Sequence, residues 1–225
     1  MKIQYYLIHN NEPLRRERLI KNLNISGIDP NNVKWIIKPE RNEITRDFIN
    51  KYVKEGVSIT NDRLIHAQYD LSIGVIICTY KHYLCLEDII NNNYDYGVIM
   101  EDNMIIDGNL PLTIDKYINE LNLYHNDWDI LFDNDWCKYE EGKLEEGKFV
   151  YLKSNNITQK NHGGSRLAQF YLLNKKCAKK LYDNYIPFNN APDWYMNDLF
   201  RELDIKSYWS EPSIIKKWEH ISTAV

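Results

Sequence analysis

The stretch Tyr94–Asp107, YDYGVIMEDNMIID, decides how the chain is read. Tyr96 to Met100 is short and largely apolar, the pattern of a strand buried in a sheet. It runs straight into Glu101-Asp102-Asn103, and a second apolar run, Met104 to Ile106, follows at once. In open α/β sheets the ligand crevice lies beyond the C-terminal ends of the strands, where the loops diverge. Carboxylates delivered at that point mark a candidate site. The oxygens of Glu101, Asp102 and Asn103 are hard ligands that suit Mg²⁺ or Mn²⁺ carried by a diphosphate. The same letters also fit a strand closed by a polar turn, since Asp and Asn are common turn residues.

Upstream, Ile3 to Ile8 reads as an inner strand, broken by the polar run from His9 to Glu12. Pro13 suits a helix's first turn, and Leu14 to Leu23 carries Arg15 and Arg16 into the helix that follows. Those two arginines either face phosphates or sit on a solvated basic face. Val33 to Ile37 predicts a second strand and Thr45 to Val53 a helix, with Asp62 to Gly74 as an irregular connector. Ile73 to Asn91 has apolar residues at helical spacing. Cys78 and Cys85 share one face of that helix and are expected in the core, and His82 on the same face is expected as a buried, hydrogen-bonded residue.

Downstream, Leu112 to Leu123 predicts a helix and Trp128 to Phe132 a buried strand that also ends in acids, Asp133-Asn134-Asp135. Glu140 to Lys148 reads as a charged, exposed turn. Phe149 to Leu152 is a further strand, and His162-Gly163-Gly164 is a loop able to approach a ligand closely. Leu167 to Leu173 predicts a strand and Lys175 to Tyr185 a helix. A helix opens at Asp193, and Tyr208 to Ile215 closes as a strand before the tail KWEHISTAV. Asp193 reads either as a helix cap or as a catalytic carboxylate.

At 225 residues, with 44% hydrophobic and 27% charged side chains, the chain suits one globular α/β domain. A net charge of −4 argues against a nucleic-acid surface. The 17 tyrosines and six tryptophans offer rings for stacking on bases and sugars, although coding bias enriches tyrosine too. The four cysteines lack CxxC spacing, so reduced and mostly buried thiols are expected. The first residues fit a strand and not a secretion signal, and no apolar segment reaches the length of a membrane span. The expectation is a cytoplasmic protein without a nucleic-acid partner.

The order of these segments resembles glycosyltransferase family 25, the lipopolysaccharide and collagen galactosyltransferase family. The residues that carry the resemblance are YYLIHNNEPLRRERL, then IGVIICTYKHYLCLEDI with Gly74 and His82, then YDYGVIMEDNMII. Trp128 to Leu131, AQFYLLNKKCAKKL, Pro192-Asp193-Trp194 and Glu211 to Lys216 follow in the family's order. The resemblance implies a GT-A-type fold, a single domain over 1–225 with a mixed, mostly parallel sheet flanked by helices. Residues 1–110 would form the nucleotide-sugar half and 111–225 the acceptor half. It further implies inverting transfer of galactose or glucose from a UDP-sugar to a glycan or hydroxylated acceptor, assisted by Mn²⁺ or Mg²⁺.

On that resemblance Asp102, Asn103 and the tail residue His220 would hold the metal, and Arg15, Arg16, Glu101 and Asp102 would contact the donor. Asp193 would act as general base, with Asp133 and Asp135 in reserve. Two positions depart from the family pattern. Asn103 stands where the family has an Asp, and Lys81 where it has a Ser before the histidine. An uncharged amide at 103 lowers the expected metal affinity. It also opens a second reading, a glycosyltransferase-like domain that binds sugar nucleotide or glycan without turnover. A glycosidase using Glu101 and Asp133 would leave the basic first helix unexplained.

Overall fold

The computed structural model describes residues 1–60, 70–155, 157–158 and 161–217. In chain order the elements are β1 (Ile3–Ile8), α1 (Pro13–Ile25), β2 (Val33–Ile36), α2 (Arg46–Tyr52), β3 (Ser58–Thr60), β4 (Asp70–Ser72) and α3 (Ile73–Asn91). Then come β5 (Tyr96–Glu101), β6 (Met104–Ile106), α4 (Leu110–Tyr124), β7 (Ile130–Phe132), β8 (Val150–Lys153), β9 (Ile157–Thr158) and β10 (Asn161–His162). The last are β11 (Phe170–Asn174), α5 (Lys175–Asn184), α6 (Pro192–Glu202), β12 (Ser207–Ser210) and β13 (Ile215–Lys217).

Seven strands form one sheet in the order β2-β1-β5-β11-β7-β12-β8. β2, β1, β5, β7 and β12 run one way, while β11 and β8 run against them. The C-terminal ends of the five co-directed strands therefore share one edge, and β11 begins there.

The sheet is covered on both faces, which explains the unbroken apolar runs. Along β5, Ile99 joins a cluster with Ile76, Leu86 and Ile89 of α3 and Leu181 of α5. Its neighbours Val98 and Met100 join the opposite cluster with Leu19 and Leu23 of α1 and Ile114 and Leu121 of α4. β11 divides in the same way, Tyr171 and Leu173 to one face, Phe170 and Leu172 to the other. Gly97 is required by close packing, because a Cβ there would lie 2.3 Å from Ile89 Cδ1.

Local chemistry places the helices. Glu12 caps α1 by accepting from Leu14 N and Arg15 N. Ser72 caps α3 at Val75 N, Asn109 caps α4 at Leu112 N, and Asn174 caps α5 at Cys177 N. Among the described residues no helix is long and apolar enough to cross a membrane.

Three expectations need correction. The strand expected from Tyr208 to Ile215 is two: β12 stops at Ser210, and β13 leaves the large sheet to pair antiparallel with β6. Pro212 cannot donate to a ladder. The Asp133 carboxylate then captures the Ser213 hydroxyl and the Ile214 and Ile215 amides, which re-aims the chain. The strand expected from Leu167 starts only at Phe170, because Leu167 takes a left-handed backbone (φ +60°). The core placement expected for both helix cysteines holds for Cys85 alone, and Cys78 is partly open. Of the connector expected over Asp62 to Gly74, positions 61–69 lie outside the described residues.

Arg166 knots the two ends of this topology together. It is 1% exposed, and its guanidinium donates to Cys137 O (2.6 Å), Ser210 O (2.8 Å) and Glu211 Oε1 (2.6 Å) while lying over the Trp209 ring. Removing one member of a buried charged pair strands the other. Arg166→Met should therefore cost about 3–5 kcal/mol, read as a lower midpoint in chemical denaturation followed by circular dichroism.

Candidate active site

A cleft of about 840 Å³ opens at the edge where the co-directed strands end. Ile8, His9 and Asn10 line it from β1, Ile37 and Pro39 from beyond β2, and Glu101, Asp102 and Asn103 from the end of β5. The α3 cap Ser72 and, from α3 itself, Gly74, Cys78 and Lys81 also line it. Leu167 to Gln169, Trp136, Pro192 and Asp193 complete the wall. The strand that delivers carboxylates and the helix that carries Asp193 in its first turn thus meet in one cavity, as sheets of this kind arrange their ligand sites.

Asp102 is the most constrained side chain of the site. Its Oδ1 lies 2.7 Å from Arg15 Nη1, and its Oδ2 lies 2.9 Å from His9 Nδ1 and 3.3 Å from the Asn10 amide. Burial alone would raise its carboxyl, but the His9 hydrogen bond and the Arg15 charge hold it below the usual value. Arg15 is thereby drawn to the site through a carboxylate. Arg16 turns elsewhere, with its guanidinium 4.3 Å from the centre of the Trp35 ring. Asn103 is exposed beyond the strand end.

Glu101 faces α3. Its Oε1 lies 3.2 Å from His82 Nε2 and 3.6 Å from Cys78 Sγ. His82 is wholly buried, and its Nδ1 sits 2.8 Å from the Tyr171 hydroxyl. Burial, reinforced by the Glu101 charge, pushes the Cys78 thiol well above its ordinary value.

Lys81, 3% exposed, donates to His9 O at 2.7 Å, and burial lowers its pKa. It and Arg41 are the basic side chains on the described wall. Sequence reasoning missed Lys81 and His9 as site residues. A lysine inside an apolar helix face and a histidine at a strand end were the available signals.

The other residues singled out from the sequence go to different places. Asp133 is fully buried and accepts from Tyr117, Ser213 and the Ile214 and Ile215 amides, so it braces the turn into β13. Burial raises its pKa against those donors. Asp135 Oδ2 is 3.9 Å from Lys216 Nζ. Asp193 sits one residue inside α6, whose cap position is Ala191, so it is a first-turn residue and not the cap itself. The Gly163-Gly164 loop packs on Asn197 of α6, and Gly164 O accepts from Ser207 and Trp209. It braces the β12 side, and the side chain of His162 lies outside the described residues. His220 also lies outside them.

Comparison with known proteins follows the same lines. A family model described as glycosyltransferase family 25 (LPS biosynthesis protein) matches residues 5–196. No curated protein matches. Among solved structures, A197 from STIV is 12% identical, with a TM-score of 0.50 over 98% of this chain and 86% of that one. A glycosyltransferase involved in the glycosylation of the major capsid of PBCV-1 is 8% identical, with a TM-score of 0.44 over 98% and 96% of the two chains. The family match runs from β1 through the first turns of α6 and so takes in the whole carboxylate-bearing wall of the cleft: the chain belongs to glycosyltransferase family 25 and is a transferase enzyme.

Proposed function

We propose that the chain transfers a hexose, galactose or glucose, from a UDP-sugar to a hydroxyl of a glycan or hydroxylated acceptor, with inversion at the sugar carbon. The observation that carries this proposal is the single cleft that gathers Glu101, Asp102 and Asn103 with Asp193. The family's known class of reaction supports it. In this proposal residues 1–225 act as one domain in the cytoplasm, the first half holding the donor and the second the acceptor.

The donor lies along the ends of β1 and β5, with Glu101 and Asp102 toward its ribose. The open first turn of α3 at Gly74 offers backbone N–H groups to the phosphates, beside Arg41. Trp136, 48% exposed, stands on the same wall. Asp193 takes the proton of the acceptor hydroxyl as the new bond forms at the sugar carbon. The bond from that carbon to the diphosphate oxygen breaks on the opposite side.

Asp102 and Asn103 do not make a cation site on their own, since both oxygens of Asp102 already face Arg15, His9 and the Asn10 amide. They fit a cation that arrives with its nucleotide. Ions of the Mg²⁺ type are held by one or two protein groups plus substrate phosphates, and a carboxylate oxygen accepts a second partner. Such an ion, Mn²⁺ or Mg²⁺, supplies neutralisation of the leaving diphosphate.

Calorimetry tests the donor site. UDP should bind more tightly with Mn²⁺ than without, Mn²⁺ alone should give no matching heat, and Asp102→Ala should remove the gain. UDP that fails to bind in either condition would sink the proposal. Asp193→Asn should lower kcat by about 10²–10⁴ while UDP affinity stays within about threefold. An unchanged kcat would remove Asp193 as the base. The clamp on Asp102 also sets an acid limit. Its folded pKa lies below the unfolded value of 3.8, so its contribution is present above that pH and fades as pH falls below it. The stability gap between wild type and Asp102→Asn should therefore narrow in acid, as read by thermal melts across a pH series.

A further inference from the structure

We propose that Cys78, His82 and Glu101 form a site for one thiophilic divalent cation of the Zn²⁺ class, distinct from the Asp102–Asn103 position and open to the cleft. Cys78 and His82 stand four residues apart on α3, so they share a face one turn apart. Glu101 reaches them from the end of β5. Their ligand atoms all lie within 4.8 Å of one another, and among the described residues no other three His, Cys, Asp or Glu side chains converge in this way. Two of the separations are 3.2 Å and 3.6 Å. Ligands about 2.0–2.3 Å from a tetrahedral zinc stand roughly 3.3–3.8 Å apart. The two separations to Glu101 are close to that range before any ion arrives, and the third is within 4.8 Å.

Three further observations point the same way. The His82 ring is fixed from behind, with Nδ1 at 2.8 Å from the Tyr171 hydroxyl and the two rings stacked 5.6 Å apart. That leaves Nε2 aimed at Glu101, and an outer partner on the second nitrogen is the usual arrangement for a ligating histidine. The donor set is one sulfur, one nitrogen and one oxygen. Thiolate and imidazole favour Zn²⁺-like ions over Mg²⁺ or Mn²⁺. Finally, Cys78 and Glu101 both line the cleft, so the fourth position faces substrate space, as in open zinc sites with three protein ligands. On binding, the Cys78 thiol gives its proton to solvent as the sulfur–metal bond forms. His82 turns its Nε2 lone pair to the ion and carries its proton on Nδ1, toward Tyr171. The hydrogen bonds to Glu101 from Cys78 and His82 give way to bonds to the ion.

The test is titration of metal-free full-length protein with Co²⁺, followed by absorption. One equivalent should produce a thiolate-to-cobalt charge-transfer band, and Zn²⁺ should bleach it. Cys78→Ala should abolish the band and weaken Co²⁺ binding at least tenfold. Glu101→Gln, which keeps the shape of the side chain, should weaken binding while retaining the band. Asp102→Ala and Cys137→Ala should leave the band intact, which separates this site from the donor cation and from the other half-buried thiol. The inference is overturned if wild type shows no thiolate band, if Cys78→Ala retains it, or if Cys137→Ala removes it.

Discussion

The site depends on one carboxylate shared between three elements. Asp102 leaves the end of β5, accepts from His9 at the end of β1, and pairs with Arg15 in the first turns of α1. Without it, Arg15 would face a partly buried region unpaired, and the His9 ring, completely covered, would lose its partner on Nδ1. Lys81 adds a tie from a fourth element, because its ammonium holds the His9 carbonyl from α3. The loop between β1 and α1 is thus fixed by charge-assisted bonds on both sides, the stronger class of hydrogen bond. Such fixity matters wherever a cleft must orient a reacting group, since misplacement by about 1 Å can cost about a hundredfold in rate.

Charge balance in the cleft bears on which ligands it could receive. Glu40, Glu101, Asp102 and Asp193 lie on its wall, against Arg41 and Lys81. Arg15 offsets Asp102 from behind. The wall therefore carries more acid than base, which disfavours a bare diphosphate. A diphosphate that brings its own divalent cation meets the same wall on favourable terms. In the donor site proposed above, Asn103 in place of a third carboxylate would weaken a free-standing cation site, and an amide oxygen would suffice where the phosphates supply most of the coordination.

Much of the fold was legible because period and punctuation agree. β1, β5 and α3 are expected and found within a residue, since each is a long apolar pattern closed by a cap or a polar turn. The errors fall where tertiary bonds override local pattern. Nothing in YWSEPSII announces that a buried carboxylate 80 residues earlier, Asp133, will seize the Ser213 hydroxyl and split the run into two strands. The site was legible in part for the same reason. The acids at the end of β5 and the helix opening at Asp193 can be read from the letters. That Asp102 is clamped by His9 and Arg15, and that Cys78 leaves the core for Glu101, depends on how α1 and α3 pack on the sheet.

The same packing explains why polar chemistry survives inside an apolar helix face. Thr79, Lys81 and His82 are all buried on α3, a costly set unless each is partnered. Lys81 finds the His9 carbonyl, His82 finds Tyr171 and Glu101, and Thr79 finds the Asn190 carbonyl. Each partner comes from a different element: the end of β1, β5 and β11 of the sheet, and the loop before α6. One turn of α3 thus joins the strand ends that line the cleft to the loop that leads into α6 and Asp193. A change in how α3 sits would move both halves of the cleft together. The Glu101 carboxylate, lying between that helix and the open cavity, is the point at which an ion or a substrate would act on the whole assembly.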